Sequence, residues 1–168
     1  MINPAQEIRN ELKKRGINSR RVSVRCSCHS LDIRVKDLAV CAEEIREFAE
    51  KFERVDRCQY SGEILAGGNF FVSVSYSYDA EKAAEQTDLY KAILVKVRAA
   101  LETLKDDGTG VELPGGVWAF MRSNGVGYQT TLPWTNSYWD MFWKADDVTL
   151  EIYRATVQGK LKNNPQDI

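Results

Sequence analysis

Asp79-Ala80-Glu81-Lys82-Ala83-Ala84-Glu85-Gln86-Thr87-Asp88-Leu89-Tyr90-Lys91-Ala92-Ile93-Leu94-Val95-Lys96-Val97-Arg98-Ala99-Ala100-Leu101-Glu102-Thr103-Leu104 runs without a proline or a glycine between two halves of different character. Ala83, Thr87, Tyr90, Leu94, Val97, Leu101 and Leu104 recur at steps of four and three, with Ile93 and Ala100 widening the stripe. That is the period of an amphipathic helix with one buried face. The spacing predicts one continuous helix over 79–105, stopped by Asp106-Asp107-Gly108. At about 1.5 Å per residue it would be roughly 39 Å long. Its stripe is too apolar to leave in water, at roughly 25 cal/mol per Å². The helix is therefore expected to be a core element shared by the two halves rather than a linker, with burial in a dimer as the alternative.

Working outward toward the N-terminus, Asn3-Pro4-Ala5-Gln6 reads as a helix start. Asn3 can cap, Pro4 suits the first helical position, and Gln6 completes a capping box. Ala5, Ile8 and Leu12 form the buried stripe, and Gly16 ends the helix. Val22, Val24, Cys26 and Cys28 then share one face of a strand, and Leu31, Ile33 and Val35 share one face of the next. Separated by His29-Ser30, the two runs predict an antiparallel hairpin whose polar face bears Arg25, Arg34 and Lys36. A second helix is expected up to Arg54, with Cys41, Ile45, Phe48, Ala49 and Phe52 inward. After a short strand at 57–60 and a glycine-bearing connection, Phe70 to Tyr76 alternate as the clearest strand in the chain.

The first half thus reads α-β-β-α-β-β, an antiparallel sheet with helices on one face. Four of its segments resemble a known family: Ile8-Arg9-Asn10-Glu11-Leu12-Lys13-Lys14-Arg15-Gly16-Ile17, Val22-Ser23-Val24-Arg25, Ile33-Arg34-Val35-Lys36-Asp37-Leu38, and Gly62-Glu63-Ile64-Leu65-Ala66-Gly67-Gly68-Asn69 before a valine-rich strand. The family is the polyvalent-protein-associated domain (type twenty-nine) of phages, plasmids and conjugative elements, matched over residues 4–78. The resemblance implies a mobile-element origin and no established catalytic residues, and says nothing about residues 106–168.

Toward the C-terminus, 111–113 and 117–121 are extended candidates, and Ser123-Asn124-Gly125 is a hairpin turn with a return strand at 126–132. Trp134, Tyr138, Trp139, Phe142 and Trp143 crowd into ten positions and predict a short aromatic helix. Val148, Leu150 and Ile152 alternate as a last strand, and 159–168 is a tail. The fold class is α+β: a module over 1–78, the long helix over 79–105, and a small β-rich module over 106–158. One continuous domain is the alternative.

With 168 residues, the chain is long enough to bury a core without metal or disulfides. Its start lacks the features of an export signal, and no apolar run approaches a membrane span. A cytoplasmic setting with reduced cysteines is the expectation. The net charge of −1 hides an asymmetry: residues 1–40 carry nine Lys/Arg against four Asp/Glu. That basic end can attract nucleic acid or an acidic partner.

Candidate chemistry is sparse. Cys26, Cys28, Cys41, Cys58 and His29 lack the knuckle spacing of a zinc site, and the in-phase cysteines read as small core residues. No metal and no cofactor are expected. A cysteine nucleophile would have one histidine, His29, to depend on. No phosphate loop is present among the glycine segments. Asp146-Asp147 reads as a turn, and an enzyme of unknown reaction would need Arg122, Tyr128 and Asp140 to meet in a pocket.

Two surfaces stand out instead. One is the aromatic set Trp134, Tyr138, Trp139, Phe142 and Trp143, of residue types enriched at binding hot spots, with packing as the core of the second half the reading set against it. The other is the basic set Arg20, Arg21, Arg25, Arg34 and Lys36, with Phe71 on the same sheet face, suited to a nucleic-acid strand. The functional expectation is a non-enzymatic binding protein of a phage or mobile element. Its expected partner is a host protein, occluded in the manner of an anti-CRISPR or anti-restriction factor, a role that the resemblance alone implies. A nucleic-acid-binding accessory protein is the alternative, and self-association stays open.

Overall fold

The structure is a computed structural model that describes residues 3–121, 127–132 and 144–161. The chain is α+β, with five helices and two three-stranded sheets among the described residues. It divides into two compact units, 1–80 and 81–168.

In the first unit, α1 (Pro4–Lys14) starts where Asn3 accepts the Ala5 N–H at 3.1 Å with Pro4 at the first position. Gln6 does not close the expected capping box; its amide donates to Asn10 Oδ1 one turn on. At the other end Gly16 adopts φ 72°, so that Ile17 N–H reaches Leu12 O and Gly16 N–H reaches Lys13 O. This paired closure needs a residue with no Cβ at Gly16. Ala5, Ile8 and Leu12 face inward as their spacing requires.

Strands β1 (Val22–Cys26) and β2 (Ser30–Val35) pair antiparallel, Val22 opposite Val35 and Cys26 opposite Leu31. The chain then passes through α2 (Ala42–Ala49) and a 3-10 turn (Glu50–Phe52) before β3 (Phe71–Tyr76). Here the expectation of an antiparallel sheet is corrected: β3 lies parallel to β2, Ser30 opposite Phe71 and Val35 opposite Tyr76. A strand followed by a covering helix returns in the same direction, whereas only a tight turn reverses it. Residues 57–60 contribute a single bridge, Arg57 to Ile64, rather than a strand. Both helices lie over one face, where Ile8, Leu12 and Ile45 pack with Leu31, Ile33, Val35 and Val74.

The start of α2 is fixed from a distance. Cys41, its N-cap residue, makes no side-chain cap bond. Tyr76 Oη accepts the Ala42 N–H at 3.1 Å and donates to Val40 O at 3.2 Å. Tyr76→Phe would leave a buried N–H without its acceptor, a loss of about 1–3 kcal/mol. Faster hydrogen exchange across α2, with β1 and β2 less affected, is the expected readout. Unchanged exchange would remove Tyr76 from this role.

In the second unit the long helix is two helices. α3 (Tyr78–Glu85), which spans the boundary between the units, and α4 (Asp88–Glu102) are separated at Gln86-Thr87. Thr87 is extended (φ −72°, ψ 149°), donates to Ala84 O at 2.7 Å and accepts the Tyr90 N–H at 3.2 Å. A threonine whose hydroxyl serves both ends favours a cap over helix interior. The break also rotates the stripe: Ala83 is exposed and Ala84 buried. Beyond it, Tyr90, Ile93, Val97 and Leu101 are buried as the spacing requires.

Strands β4 (Val111–Leu113), β5 (Val117–Met121) and β6 (Tyr128–Thr130) form an antiparallel sheet in that order. The Gly115-Gly116 turn takes φ 81° and 74°, a left-handed pair that glycine alone enters without strain. The core here joins Ile93, Val97 and Leu101 to Val117, Val148 and Ile152.

The expected last strand is instead α5 (Ala145–Val157). The alternation of Val148, Leu150 and Ile152 spans only five residues, too few to separate a period of two from one of 3.6. The buried positions Val148, Thr149, Ile152 and Ala155 carry the helical period. Asp146-Asp147, expected as a turn, forms the helix's first turn, with the Asp147 carboxylate accepting the Lys144 N–H at 3.1 Å. Acidic side chains there are favoured by the helix dipole. Among the described residues no helix is long and apolar enough to cross a membrane.

A basic open face as candidate binding surface

Because α1 and α2 cover one face of the β1–β2–β3 sheet, the alternate side chains face outward. The register sets Arg25 opposite Asp32, Ser23 opposite Arg34, Arg34 opposite Ser75 and Asp32 opposite Ser73. The open face therefore presents Arg25 and Arg34 as diagonal neighbours among serines, with Phe71, 40% exposed, at one end. Lys36 follows Arg34 in phase, its N–H donating to Arg21 O at 2.7 Å. Arg20 lies exposed just before β1.

Of the five sequence-predicted cations, Arg21 is engaged: its Nε donates to Asp37 Oδ2 at 2.6 Å. Arg20, Arg25, Arg34 and Lys36 form no ion pair among the described residues, although Asp32 lies directly across from Arg25. Elsewhere in the unit, Lys14 and Arg15 pair with Glu11, and Lys51 pairs with Glu7. Four exposed cations thus stand on or beside one surface without an ion pair among the described residues, in a chain whose net charge is −1. On the same face the Ser75 hydroxyl is buried without a hydrogen-bond partner among the described residues.

The aromatic set Trp134, Tyr138, Trp139, Phe142 and Trp143 lies outside the described residues, as do Arg122, Asp140 and the Ser123-Asn124-Gly125 turn. Tyr128, the described member of the enzyme trio, packs against the core of the second unit.

The cysteines depart from their reading as core residues. Cys41 is buried, but Cys26 and Cys28 are exposed. Cys26 keeps the phase of Val22 and Val24 but is the last residue of β1, and Cys28 lies past the strand in the turn, so both stand exposed at the end of the sheet. Among the described residues no three His, Cys, Asp or Glu side chains gather as a metal site. His29 is exposed at the hairpin tip, where its N–H donates to Ser27 Oγ at 3.2 Å.

Cys58 enters the sequence reading only as a distant member of the rejected zinc set. It opens a tight turn in which Gly62 N–H donates to Cys58 O at 2.9 Å. The nearby Ser61 side chain, then the Ser61 and Tyr60 backbone, lower the thiol to about 7 from 9.0. At pH 7 about half is thiolate, against about one part in a hundred at the ordinary value, and the thiolate is the nucleophile. Iodoacetamide at pH 7 should therefore label Cys58 before Cys26 and Cys28, with its rate rising through pH 7 and levelling above pH 8. Peptide mapping that finds Cys26 or Cys28 labelled first would contradict the turn geometry.

No family model matches the chain, and neither a curated protein nor a solved structure resembles it significantly.

Proposed function

We propose that the chain is a non-enzymatic binding protein whose first unit docks its basic open face onto an acidic surface of a host protein in the cytoplasm. The observation that supports this is the set Arg20, Arg25, Arg34 and Lys36, exposed on or beside one face and without carboxylate partners among the described residues. Unpaired guanidinium groups match carboxylates in a planar, two-pronged geometry. An occluding partner held this way gains association rate and register from charge. The mobile-element setting, and counter-defence by blocking a CRISPR or restriction component, follow from the resemblance over residues 4–78.

A second reading, a nucleic-acid-binding accessory protein, is favoured by Phe71, which adds an exposed ring to the same face. Base stacking on such a ring contributes about 1–3 kcal/mol. Fluorescence anisotropy with labelled poly-glutamate and oligo-dT probes separates the two. The first reading expects tighter binding of poly-glutamate, insensitive to Phe71→Ala. The second expects tighter binding of oligo-dT, weakened at least about fivefold by Phe71→Ala. Absence of binding to both at low salt would end both readings.

A further inference from the structure

The two edges of the first sheet are treated differently. In β3 the even-numbered residues turn their backbone outward, and several of those groups are occupied, although the Val74 N–H has no acceptor among the described residues. Val72 N–H donates to Glu53 Oε1 at 3.2 Å, Arg46 Nη2 donates to Val74 O at 2.8 Å, and Phe70 pairs with Arg54. In β1 the bonds of Lys36 N–H to Arg21 O and Ser27 N–H to Ser30 O place the odd-numbered residues toward β2. Val22, Val24 and Cys26 therefore direct their backbone groups outward. Asn18 O takes the Val22 N–H at 3.1 Å, and Arg9 Nη2 donates to Val24 O at 2.7 Å. The N–H groups of Val24 and Cys26 have no acceptor among the described residues.

Beside this edge runs a groove of about 630 Å³ between α1 and β1. Leu12, Ile17, Val22 and Val24 form its apolar floor, and Arg9 and Lys13 stand along its α1 side. An edge strand next to a helix, with an apolar channel between them, is the geometry in which an extended peptide adds as a further strand. The Val24 carbonyl has a second lone pair, so Arg9 does not block it.

We propose that this groove binds an extended peptide segment that pairs with β1 and whose groove-facing positions, every second residue, are by turns aliphatic and acidic. Its backbone would satisfy Val24 and Cys26, its aliphatic side chains would fill the groove, and its carboxylates would meet Arg9 and Lys13. Charge decides against a second copy as occupant. Two β1 edges paired with each other would bring Arg9, Lys13 and Arg25 of both copies together, and like charges at short range oppose pairing. The inference is independent of the open face, since Arg34 lies on the opposite side of the sheet from α1.

The test uses the full chain and a fluorescein-labelled (Val-Ser-Glu-Ser) repeat peptide, which sets valine and glutamate on one face, followed by anisotropy and amide exchange. Binding should slow exchange of the Val24 and Cys26 amides at least about tenfold. Arg9→Glu with Lys13→Glu should weaken binding about a hundredfold, whereas Arg34→Glu should leave it unchanged. The same peptide N-methylated at alternate residues should fail to bind, a control that does not depend on how any variant folds. Equal binding of the N-methylated or a (Val-Ser-Lys-Ser) peptide would overturn the proposal. So would protection confined to β3, tighter binding of oligo-dT at the same amides, or concentration-dependent protection of Val24 and Cys26 without peptide, which would make a second copy the occupant.

Discussion

Arg154→Leu is expected to destabilise the second unit by about 3–5 kcal/mol. The Arg154 side chain is only 12% exposed and bridges Glu81 on α3 and Glu151 one turn back on α5. Removing it leaves two carboxylates, 27% and 23% exposed, with the charge between them gone. A partly buried charge that loses its partner keeps the desolvation cost and forfeits the attraction that offset it. Against a domain stability of about 5–15 kcal/mol this is a large fraction. Amide exchange of α4 and α5 should accelerate by two orders of magnitude or more, while β1 and β2 change little. The companion variant Arg154→Leu/Glu81→Leu/Glu151→Leu should recover most of the loss, because replacing a buried ionic cluster by apolar groups of similar size is often neutral. If the single change costs less than about 1 kcal/mol, the cluster acts as a surface salt bridge and carries no structural weight.

The second large effect falls on binding. Arg25→Glu with Arg34→Glu should weaken binding of a polyanionic probe about a hundredfold at low salt. Close charge pairs at interfaces couple by about 1.5 kcal/mol or more, close to a factor of ten for each arginine. The two positions sit on adjacent strands as diagonal neighbours, so one rigid anion-bearing surface meets both. Both are exposed and point away from Ile33 and Leu31, so the core is untouched. Thermal unfolding should therefore match that of the parent chain while binding is lost. For an oligo-dT probe the salt slope should fall by about 1.4, the share of two phosphate contacts. Arg21→Glu is the contrasting control: Arg21 is tied to Asp37, and its loss should cost far less binding than either Arg25 or Arg34.

These effects rest on a part of the fold that is largely legible in the sequence. The β1–β2 hairpin, its inward valines and the outward Arg25 and Arg34 follow from a period of two sustained on both strands. α1 is equally local: Asn3, Pro4 and Gly16 sit at the chain positions where a helix must begin and end. What the residues concealed depends on distant contacts. The direction of β3 is decided by the crossover through α2, and the start of α2 by the hydroxyl of Tyr76. Thr87 looks like a stripe residue until its hydroxyl is seen bonded to both Ala84 and Tyr90. α5 was hidden by a five-residue alternation that only Thr149 and Ala155 correct.

The candidate surfaces divide the same way. Arg25 and Arg34 were readable by phase, but the capture of Arg21 by Asp37 was not. Cys58 gains its acidity from a turn that no spacing rule describes. The treatment of the β1 and β3 edges appears only once Glu53, Arg46 and Arg9 are seen beside them.

The central claim is that the open face of the first sheet meets an anionic partner. A nitrogen–proton NMR titration of the full chain with poly-glutamate and with oligo-dT at low salt tests it most directly. Shifts concentrated at Ser23 to Arg25, Asp32 to Lys36 and Ser73 to Ser75, reversed by added salt and absent in Arg25→Glu/Arg34→Glu, are the predicted result. Shifts spread over α1 and α2, or none at any probe concentration, would contradict it.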